Sequence, residues 1–241
     1  MTASLYFRAQ TVPTLLMVIL TPLFCGLGLW QLDRAEQKRQ LAGALEQRRK
    51  LPAQRISPAL AETDHIEYRR LQAHGRFLHH KTVLIENRKH QGKRGYHVIT
   101  PLQLSGSGEI LLINRGWVPQ QIAEASTFSR PEGDLTIQGE ARIPQPPALD
   151  LELRLERNQA LPHWPFLTLE NYTSWSGLEL LPLILLQAPE PNSGFIRQWP
   201  SPPANDAMHI GYAIQWFAFA LIGLLIWLRL SLHRPTGGTA A

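Results

Sequence analysis

Two long runs without a charged residue lie near the ends of the chain, at positions 12–30 and 210–228. At about 1.5 Å per residue, each run would reach roughly 28 Å as a helix, close to the thickness of a bilayer core. The second run offers only Tyr212 and Gln215 among its polar side chains, whereas a buried helix of a soluble protein is expected to carry a polar face. The pattern therefore predicts two transmembrane helices.

The first run could instead be a cleavable signal peptide. Such a peptide has an apolar stretch of about 7 to 15 residues, followed by a small-x-small cleavage site. Here the run continues through Gln31 and Leu32 into charged residues. We therefore expect an uncleaved membrane anchor.

The charges that flank the two runs give opposite orientations. Arg8 is the only charge before the first run, whereas three basic residues closely follow it; Arg229 and Arg234 follow the second run. Two spans force both termini to one side, and long domains cross the membrane largely regardless of their charge. We expect both tails in the cytoplasm and residues 31–209 outside.

Between the two runs, short stretches rich in β-branched and aromatic residues alternate with Gly, Pro, Asn or charge clusters. These stretches predict strands at 68–77, 82–87, 95–104, 109–118, 135–143 and 180–187. Glycines at 106 and 108 permit a tight hairpin. Residues 149–157 could be a strand or a short helix, and 171–177 could be one helical turn. The expected fold is a mainly antiparallel β domain, a barrel or a sandwich, flanked by two transmembrane α-helices.

The predicted organisation has seven segments. They are a cytoplasmic tail (1–11), transmembrane helix 1 (12–30), a membrane-proximal basic helix that Pro52 interrupts (31–57), a β-rich periplasmic domain (58–188), a linker (189–209), transmembrane helix 2 (210–228) and a cytoplasmic tail (229–241).

Composition narrows the function classes. Apolar residues make up 44% and charged residues 18%, as in folded proteins. The net charge of +5 comes mostly from the tails and from residues 34–55, where contact with anionic lipid headgroups or a solvated face explains it without nucleic acid. A single cysteine excludes an intramolecular disulfide and a CxxC motif.

Patterns typical of catalysis are missing from the sequence. It contains no GxSxG, P-loop, helix-opening GxGxxG or HExxH motif. The paired histidines His79 and His80 would point to opposite faces of a strand, which is poor geometry for a metal. We predict no catalytic residue and no enzymatic activity.

His209 is the histidine of greatest interest, because it immediately precedes the second run. Tyr212 and Trp216 follow it on one helical face. An interfacial imidazole between aromatic rings can ligate haem iron, although a lone interfacial histidine can also be a simple anchor. Trp30, Gln31 and Arg34 should lie at similar depth. The basic turn 88–94 is a second candidate, either an anion site or a solvated hairpin tip.

Five segments in the same order resemble the surfeit-locus (SURF) family of cytochrome c oxidase assembly proteins. They are GLWQLDR (28–34), EYRR (67–70), GYHVITPL (95–102), NRGWVP (114–119) and HIGYAIQWF (209–217). Each motif alone is weakly specific, but together they cover nearly the whole chain. Residues 120–201 match the family least, so no functional residue is carried onto them.

The resemblance implies a membrane-bound assembly factor that helps to insert or retain haem a in the catalytic subunit of the terminal oxidase. The chain resembles the bacterial type of this family, in which the histidine heading the second span is associated with haem a binding, and this makes His209 the expected iron ligand. Trp30, Tyr212 and Trp216 would then flank the macrocycle, and Arg34 or a hairpin cation would meet a propionate. The family pattern also gives weight to Arg115, Gly116 and Trp117.

The expected partners are the catalytic oxidase subunit, the haem a synthesis machinery and the lipid bilayer. Only residues 1–11 precede the first run, with no mitochondrial transit peptide, so we expect a bacterial inner membrane. The alternatives are a scaffold that stabilises an oxidase assembly intermediate without a cofactor and an enzyme that modifies haem or lipid.

Overall fold

A computed structural model describes residues 6–61, 63, 65–146, 161–200 and 206–233. The chain divides into two units, one made from the two chain ends and the other from the middle, Leu45–Ser201. The segment 149–157, predicted as a strand or short helix, lies outside the described residues.

The helices and strands are numbered along the chain. The helices are α1 (Thr11–Lys50), α2 (Pro58–Ala61), α3 (Gln120–Glu124), α4 (Leu169–Ser176) and α5 (Asp206–Ser231). The strands are β1 (Tyr6–Phe7), β2 (Gln54–Arg55), β3 (Arg70–Phe77), β4 (Val83–His90), β5 (Lys93–Leu104), β6 (Ile110–Pro119), β7 (Asp134–Arg142), β8 (His163–Trp164), β9 (Leu180–Gln187) and β10 (Leu232–His233). His79–Lys81 form a single 3-10 turn.

Helices α1 and α5 are long and apolar enough to cross a membrane. Many of their large apolar side chains are exposed, among them Leu15, Ile19, Ile214, Leu221 and Leu225. Contact with water would be unfavourable for this surface, whereas lipid tails suit it. Helix α1 continues past the predicted span to Lys50, just before Pro52, and α5 begins at Asp206, before the predicted position 210.

The two long helices run antiparallel. Near one end of the pair, Trp227 Nε1 donates a hydrogen bond to Thr14 Oγ1 at 2.9 Å. Near the other end, Arg39 Nε lies 2.7 Å from Asp206 Oδ2. Gly28 between these points is buried, and a Cβ atom there would lie 2.7 Å from the ring of Phe217. The glycine therefore permits the close approach of the two helices.

The middle unit is built on a sheet that closes into a five-stranded barrel. Its order is β3-β7-β9-β6-β5, and β5 pairs again with β3 to complete the circle. Most pairs are antiparallel, but β9 lies parallel to β6. The prediction of two helices around a mainly antiparallel β domain is confirmed, and of the two forms expected the structure has the barrel.

Alternation along the strands explains how the barrel fills. In β3, Leu71 and Ala73 are fully buried, while Gln72 and His74, which alternate with them, are only partly buried. Strand β6 is buried on both faces, since Leu111 and Ile113 join the barrel core while Leu112 joins a second cluster. That second cluster includes Trp164 and Tyr172, which come from β8 and α4. The barrel interior and one outer face are therefore both apolar.

The segment 189–209, predicted as a linker, is different in the structure. Ile196 forms an antiparallel bridge with Trp117, and Phe195 and Arg197 beside it are buried. Residues 206–209 already belong to α5. Part of the predicted linker is thus a packed component of the β domain, because two backbone hydrogen bonds hold Ile196 against β6.

Gly116 makes this packing possible. Its φ is +126°, and an added Cβ would lie 2.9 Å from Phe195 Cβ and 3.0 Å from Arg197 Cγ. An L-residue is strained at such a φ, and the neighbouring segment leaves no room for a side chain.

We expect Gly116→Ala to lower the free energy of unfolding of the β domain by about 1 to 3 kcal/mol. Chemical denaturation in detergent, followed by tryptophan fluorescence, would measure the change. Gly133→Ala is the matched control, because Gly133 also has a positive φ but an open space around its missing Cβ. Equal losses in the two variants would contradict a role for the close contact with residues 195–197.

Candidate functional site at one end of the helix pair

His209 and Gln31 form a polar contact between the two long helices. His209 Nδ1 lies 2.8 Å from Gln31 Oε1. An amide oxygen only accepts a hydrogen bond, so this contact requires the proton on Nδ1. The lone pair of the neutral ring then lies on Nε2, which bonds to no described residue. The arrangement is the one in which a partner at one ring nitrogen orients a histidine that ligates a metal through the other.

Trp30 and Arg34 form a second feature on α1. The guanidinium carbon of Arg34 lies 5.8 Å from the centre of the Trp30 ring, a cation–π contact one helical turn apart. Arg34 Nη1 also donates to Gln37 Oε1 at 2.9 Å. Trp30 is 50% exposed. The pair offers an open indole surface beside a cation.

On α5, Tyr212 and Trp216 have different surroundings. Tyr212 is 48% exposed. Trp216 stacks on Phe24 with ring centres 5.7 Å apart, and it meets Phe219 edge-on at 5.9 Å. Trp216 therefore takes part in the packing of the helix pair, while Tyr212 remains available to a ligand.

Of the predicted site residues, the structure joins His209 to Gln31 and Arg34 to Trp30. Among the described residues, no ring contact links His209 to Trp30, Tyr212 or Trp216. Nowhere among the residues that the structure describes do three or more His, Cys, Asp or Glu side chains form a group that could hold a metal ion. What the site offers a haem is one oriented imidazole and exposed aromatic surface, which is compatible with a single axial ligand from this chain.

The other histidines and the basic turn of interest are found in the β domain. His79 Nε2 lies 2.8 Å from the carbonyl oxygen of Pro131, and His80 is exposed. The basic segment 88–94 forms the tip of the β4–β5 hairpin, where Gln91 and Gly92 adopt positive φ. These positions are those of a hairpin turn, whose central residues Gln91, Gly92, Lys93 and Arg94 are exposed.

Sequence reasoning missed a pair of buried arginines in this domain. Arg115 is 2% and Arg197 is 6% exposed, and Arg197 Nε donates to the carbonyl oxygen of Arg115 at 2.7 Å. The two residues are far apart in sequence, so spacing gave no signal for the pair. The family resemblance pointed to Arg115 as an important residue but not to Arg197.

His97 is a buried titratable group next to Asn114 and Arg88. The Asn114 amide nitrogen lies 3.3 Å from His97 Nδ1. Burial, and to a lesser degree the charge of Arg88, lowers the pKa of His97 to about 4. The folded domain therefore holds this imidazole neutral at physiological pH.

Together these features define a protein with two antiparallel helices that are long and apolar enough to cross a membrane, a histidine oriented at one end of that helix pair, and a closed β barrel formed by the middle of the chain. The sequence pattern of the SURF1 family matches residues 18–221, most of the chain. The protein belongs to the SURF1 family.

Individual relatives agree with this assignment. The chain is 29% identical over 230 residues to a SURF1-like protein of Monosiga brevicollis, covering 88% of this chain and 84% of the relative. It is 24% identical over 232 residues to surfeit locus protein 1 of Homo sapiens, covering 88% of this chain and 75% of the relative. It is also 33% identical over 99 residues to the cytochrome oxidase assembly protein SHY1 of Saccharomyces cerevisiae, covering 39% of this chain and 25% of the relative.

We expect His97 to make the β domain less stable in acid. Its pKa is lower in the folded state than the usual 6.5, so the unfolded chain binds the proton more tightly. Stability is therefore complete above about pH 6.5 and falls as the pH drops towards 4, by up to about 3 kcal/mol from this group.

Thermal unfolding of the wild type and His97→Gln between pH 7 and pH 4 would measure this effect. The carboxylates titrate in both proteins, so the difference between their pH profiles isolates His97. His80→Gln, at an exposed position, is the control. A difference between wild type and His97→Gln that stays constant with pH would contradict the prediction.

Proposed function

We propose that this protein is a non-enzymatic assembly factor for cytochrome c oxidase that binds haem a through His209 and presents it to the catalytic subunit. The observation that carries the proposal is the 2.8 Å contact between His209 Nδ1 and Gln31 Oε1. Membership of the SURF1 family and the name of the yeast relative, a cytochrome oxidase assembly protein, support the role in assembly.

Gln31 prepares His209 for iron in two ways. Its oxygen selects the tautomer whose Nε2 carries the lone pair, and it limits rotation of the ring. Bound haem would supply an iron centre that accepts this lone pair. The function of the chain's own residues is to hold and orient the group, and the proposal includes no chemical turnover.

Exposed side chains near the two helix ends would complete the haem site. Trp30 and Tyr212 each have about half of their surface open, so they offer apolar area for a flat macrocycle. Trp216 stacks on Phe24, so it would contribute by holding α1 against α5 at this site. Arg34, next to Trp30, would pair with a propionate, because a guanidinium binds a carboxylate through charge-assisted hydrogen bonds.

Besides the catalytic subunit, the proposed partners are the haem a synthesis machinery and the lipid bilayer. The proposed location is a bacterial inner membrane, with both tails in the cytoplasm and the β domain in the periplasm. Arg229, in the last turn of α5, supports this orientation, since basic residues favour the cytoplasmic side.

A cofactor-free scaffold is the second candidate. The hydrogen bond between His209 and Gln31 also ties α1 to α5, and together with the ion pair of Arg39 and Asp206 it could serve only to hold the helices. In that case His209 would be replaceable by another side chain that maintains the contact.

We expect the full-length protein, purified in detergent from cells that synthesise haem a, to show a haem a absorption spectrum. His209→Ala and His209→Gln should lose this spectrum, although the glutamine can still hydrogen-bond across the helix pair. Gln31→Ala should weaken haem binding by about 10- to 100-fold, because it removes the group that orients the ligand. His80→Ala, at an exposed histidine of the β domain, is the matched control and should keep its haem.

A colourless wild type, or equal haem content in the wild type and both His209 variants, would contradict haem ligation. If oxidase activity in membranes of the host also survives in His209→Gln, the scaffold is the better description.

The orientation can be tested with single cysteines, since the chain has only Cys25. In a Cys25→Ala background, we expect Ser107→Cys, at the exposed β5–β6 turn, to react with a membrane-impermeant maleimide in intact cells. Thr239→Cys should react only after the cells are lysed. The reverse pattern would contradict a periplasmic β domain.

A further inference from the structure

A cavity of about 520 Å³ in the β domain is lined by both buried arginines. It lies between β6, β7 and the segment after β9, and its lining includes Gln138 and Glu190, which are both exposed. The cavity thus reaches from the buried arginines to the solvent-facing surface of the domain. Among the described residues, none that lines the cavity belongs to α1 or α5.

Among the described residues, no carboxylate pairs with Arg115 in this cavity. Its guanidinium carbon lies 4.9 Å from the ring centre of Phe77 and 4.7 Å from that of Phe195, so aromatic rings cover it. Nη2 donates to the carbonyl oxygen of Ser129 at 2.6 Å. Nε and Nη1 are buried and have no hydrogen-bond partner among the described residues. Buried charges in proteins are normally paired, so the group lacks its usual counter-ion.

Arg197 is only partly neutralised. Its Nη1 lies 3.3 Å from Glu190 Oε2 and donates to the carbonyl oxygen of Ala188 at 3.1 Å, and its Nε donates to the carbonyl oxygen of Arg115. No described residue accepts a hydrogen bond from Nη2. The Glu190 side chain is 64% exposed, so solvent weakens its attraction for Arg197. Of the two buried cations, only Arg197 is therefore paired with a carboxylate in the described part of the chain, and that carboxylate is largely solvated.

The local fold brings the two arginines together. The bridge between Ile196 and Trp117 places Arg197 beside Arg115, and Gly116 lets the two segments approach to a distance that a Cβ atom would prevent. Burial, followed by the nearby charges of Arg197 and Arg130, lowers the pKa of Arg115 to about 10. Arg115 therefore keeps its charge at physiological pH despite this environment.

We propose that Arg115 and Arg197 bind an oxyanion, the carboxylate or phosphate group of a small molecule that enters the cavity. Guanidinium groups match the planar, multi-oxygen geometry of both anions, and their hydrogen bonds to a charged acceptor are strong in a water-poor site. The aromatic faces of Phe77 and Phe195 hold Arg115 in place, which lowers the entropy lost on binding. This site is independent of haem binding at His209.

Two exposed side chains of the lining allow a test without disturbing the buried pair. Glu190→Gln removes the carboxylate that competes for Arg197, so it should tighten anion binding roughly tenfold. Gln138→Glu adds a carboxylate of nearly the same shape to the lining and should weaken binding by a similar factor. Both substitutions keep the side-chain size, so they should leave the fold intact.

Isothermal titration calorimetry of the full-length protein in detergent, at constant ionic strength, would use inorganic phosphate in one arm and succinate in the other. We expect saturable binding of one anion per chain in at least one arm, and the arm that binds identifies the chemical group. Arg115→Gln should abolish binding, with circular dichroism as the check of its fold. Arg94→Gln, on the exposed β4–β5 hairpin tip, is the control for non-specific attraction and should bind like the wild type.

The absence of saturable binding in both arms would overturn the proposal. So would equal affinities in Glu190→Gln and Gln138→Glu, or a loss of binding in Arg94→Gln. The haem spectrum of Glu190→Gln and Gln138→Glu should not change, so a failure here is distinguishable from a failure of haem ligation.

Discussion

A polar side chain taken out of water must find a partner, and this constraint governs the informative sites of both units. In the helix pair, the imidazole of His209 meets the amide of Gln31. In the barrel, Arg115 is enclosed by aromatic rings and satisfies only part of its hydrogen-bonding capacity. At His209 only Nδ1 has a hydrogen-bond partner among the described residues. At Arg115 the guanidinium charge has no counter-ion among them. Each therefore has a remaining capacity that a ligand can fill.

Closure of the barrel explains why the second site exists. Because β3 pairs with both β7 and β5, the sheet has no free edge around its core, and β6 is buried on both faces. A charged side chain on such a strand is enclosed by protein, and Arg115 is only 2% exposed. Arg115 can be accommodated there only because the segment around Arg197 covers it and contributes an aromatic ring, Phe195. The segment that follows β9 is thus part of the site.

The regular part of the fold was readable from the sequence for physical reasons. Alternating burial, as in Leu71 and Ala73 of β3, gives a period of two that predicts a strand, and glycines at 106 and 108 mark the turn between β5 and β6. The helical turn predicted at 171–177 is α4 at Leu169–Ser176, where Thr168 caps the first turn and Gly177 ends the helix in a left-handed conformation. Local rules decide these elements, and local rules are visible in a sequence.

The rest depends on contacts between distant residues. Two contacts join segments that are far apart in the chain: the parallel pairing of β6 with β9 and the bridge between Trp117 and Ile196. The periodicity of the sequence does not predict such contacts. Proline-rich composition made the segment 189–209 resemble a linker, although Phe195 and Arg197 within it are buried. The candidate site at His209 could be predicted in part from the sequence. Two spans of similar length place Gln31 and His209 at similar depth, but only the structure brings their polar atoms within hydrogen-bonding distance.

The two aromatic environments show why exposure matters more than residue type in assigning a ligand site. By sequence, Trp216 and Trp30 were both candidates for contact with the macrocycle, since each lies near an end of an apolar run. The Trp216 ring packs against Phe24 and Phe219 within the helix pair. Trp30, beside Arg34, is 50% exposed. An indole already packed against neighbours gains little from a ligand, because its apolar area is no longer exposed to be buried. Trp30 and Tyr212 are therefore the rings whose exposed apolar area a ligand could still bury. Trp216 instead holds α1 against α5.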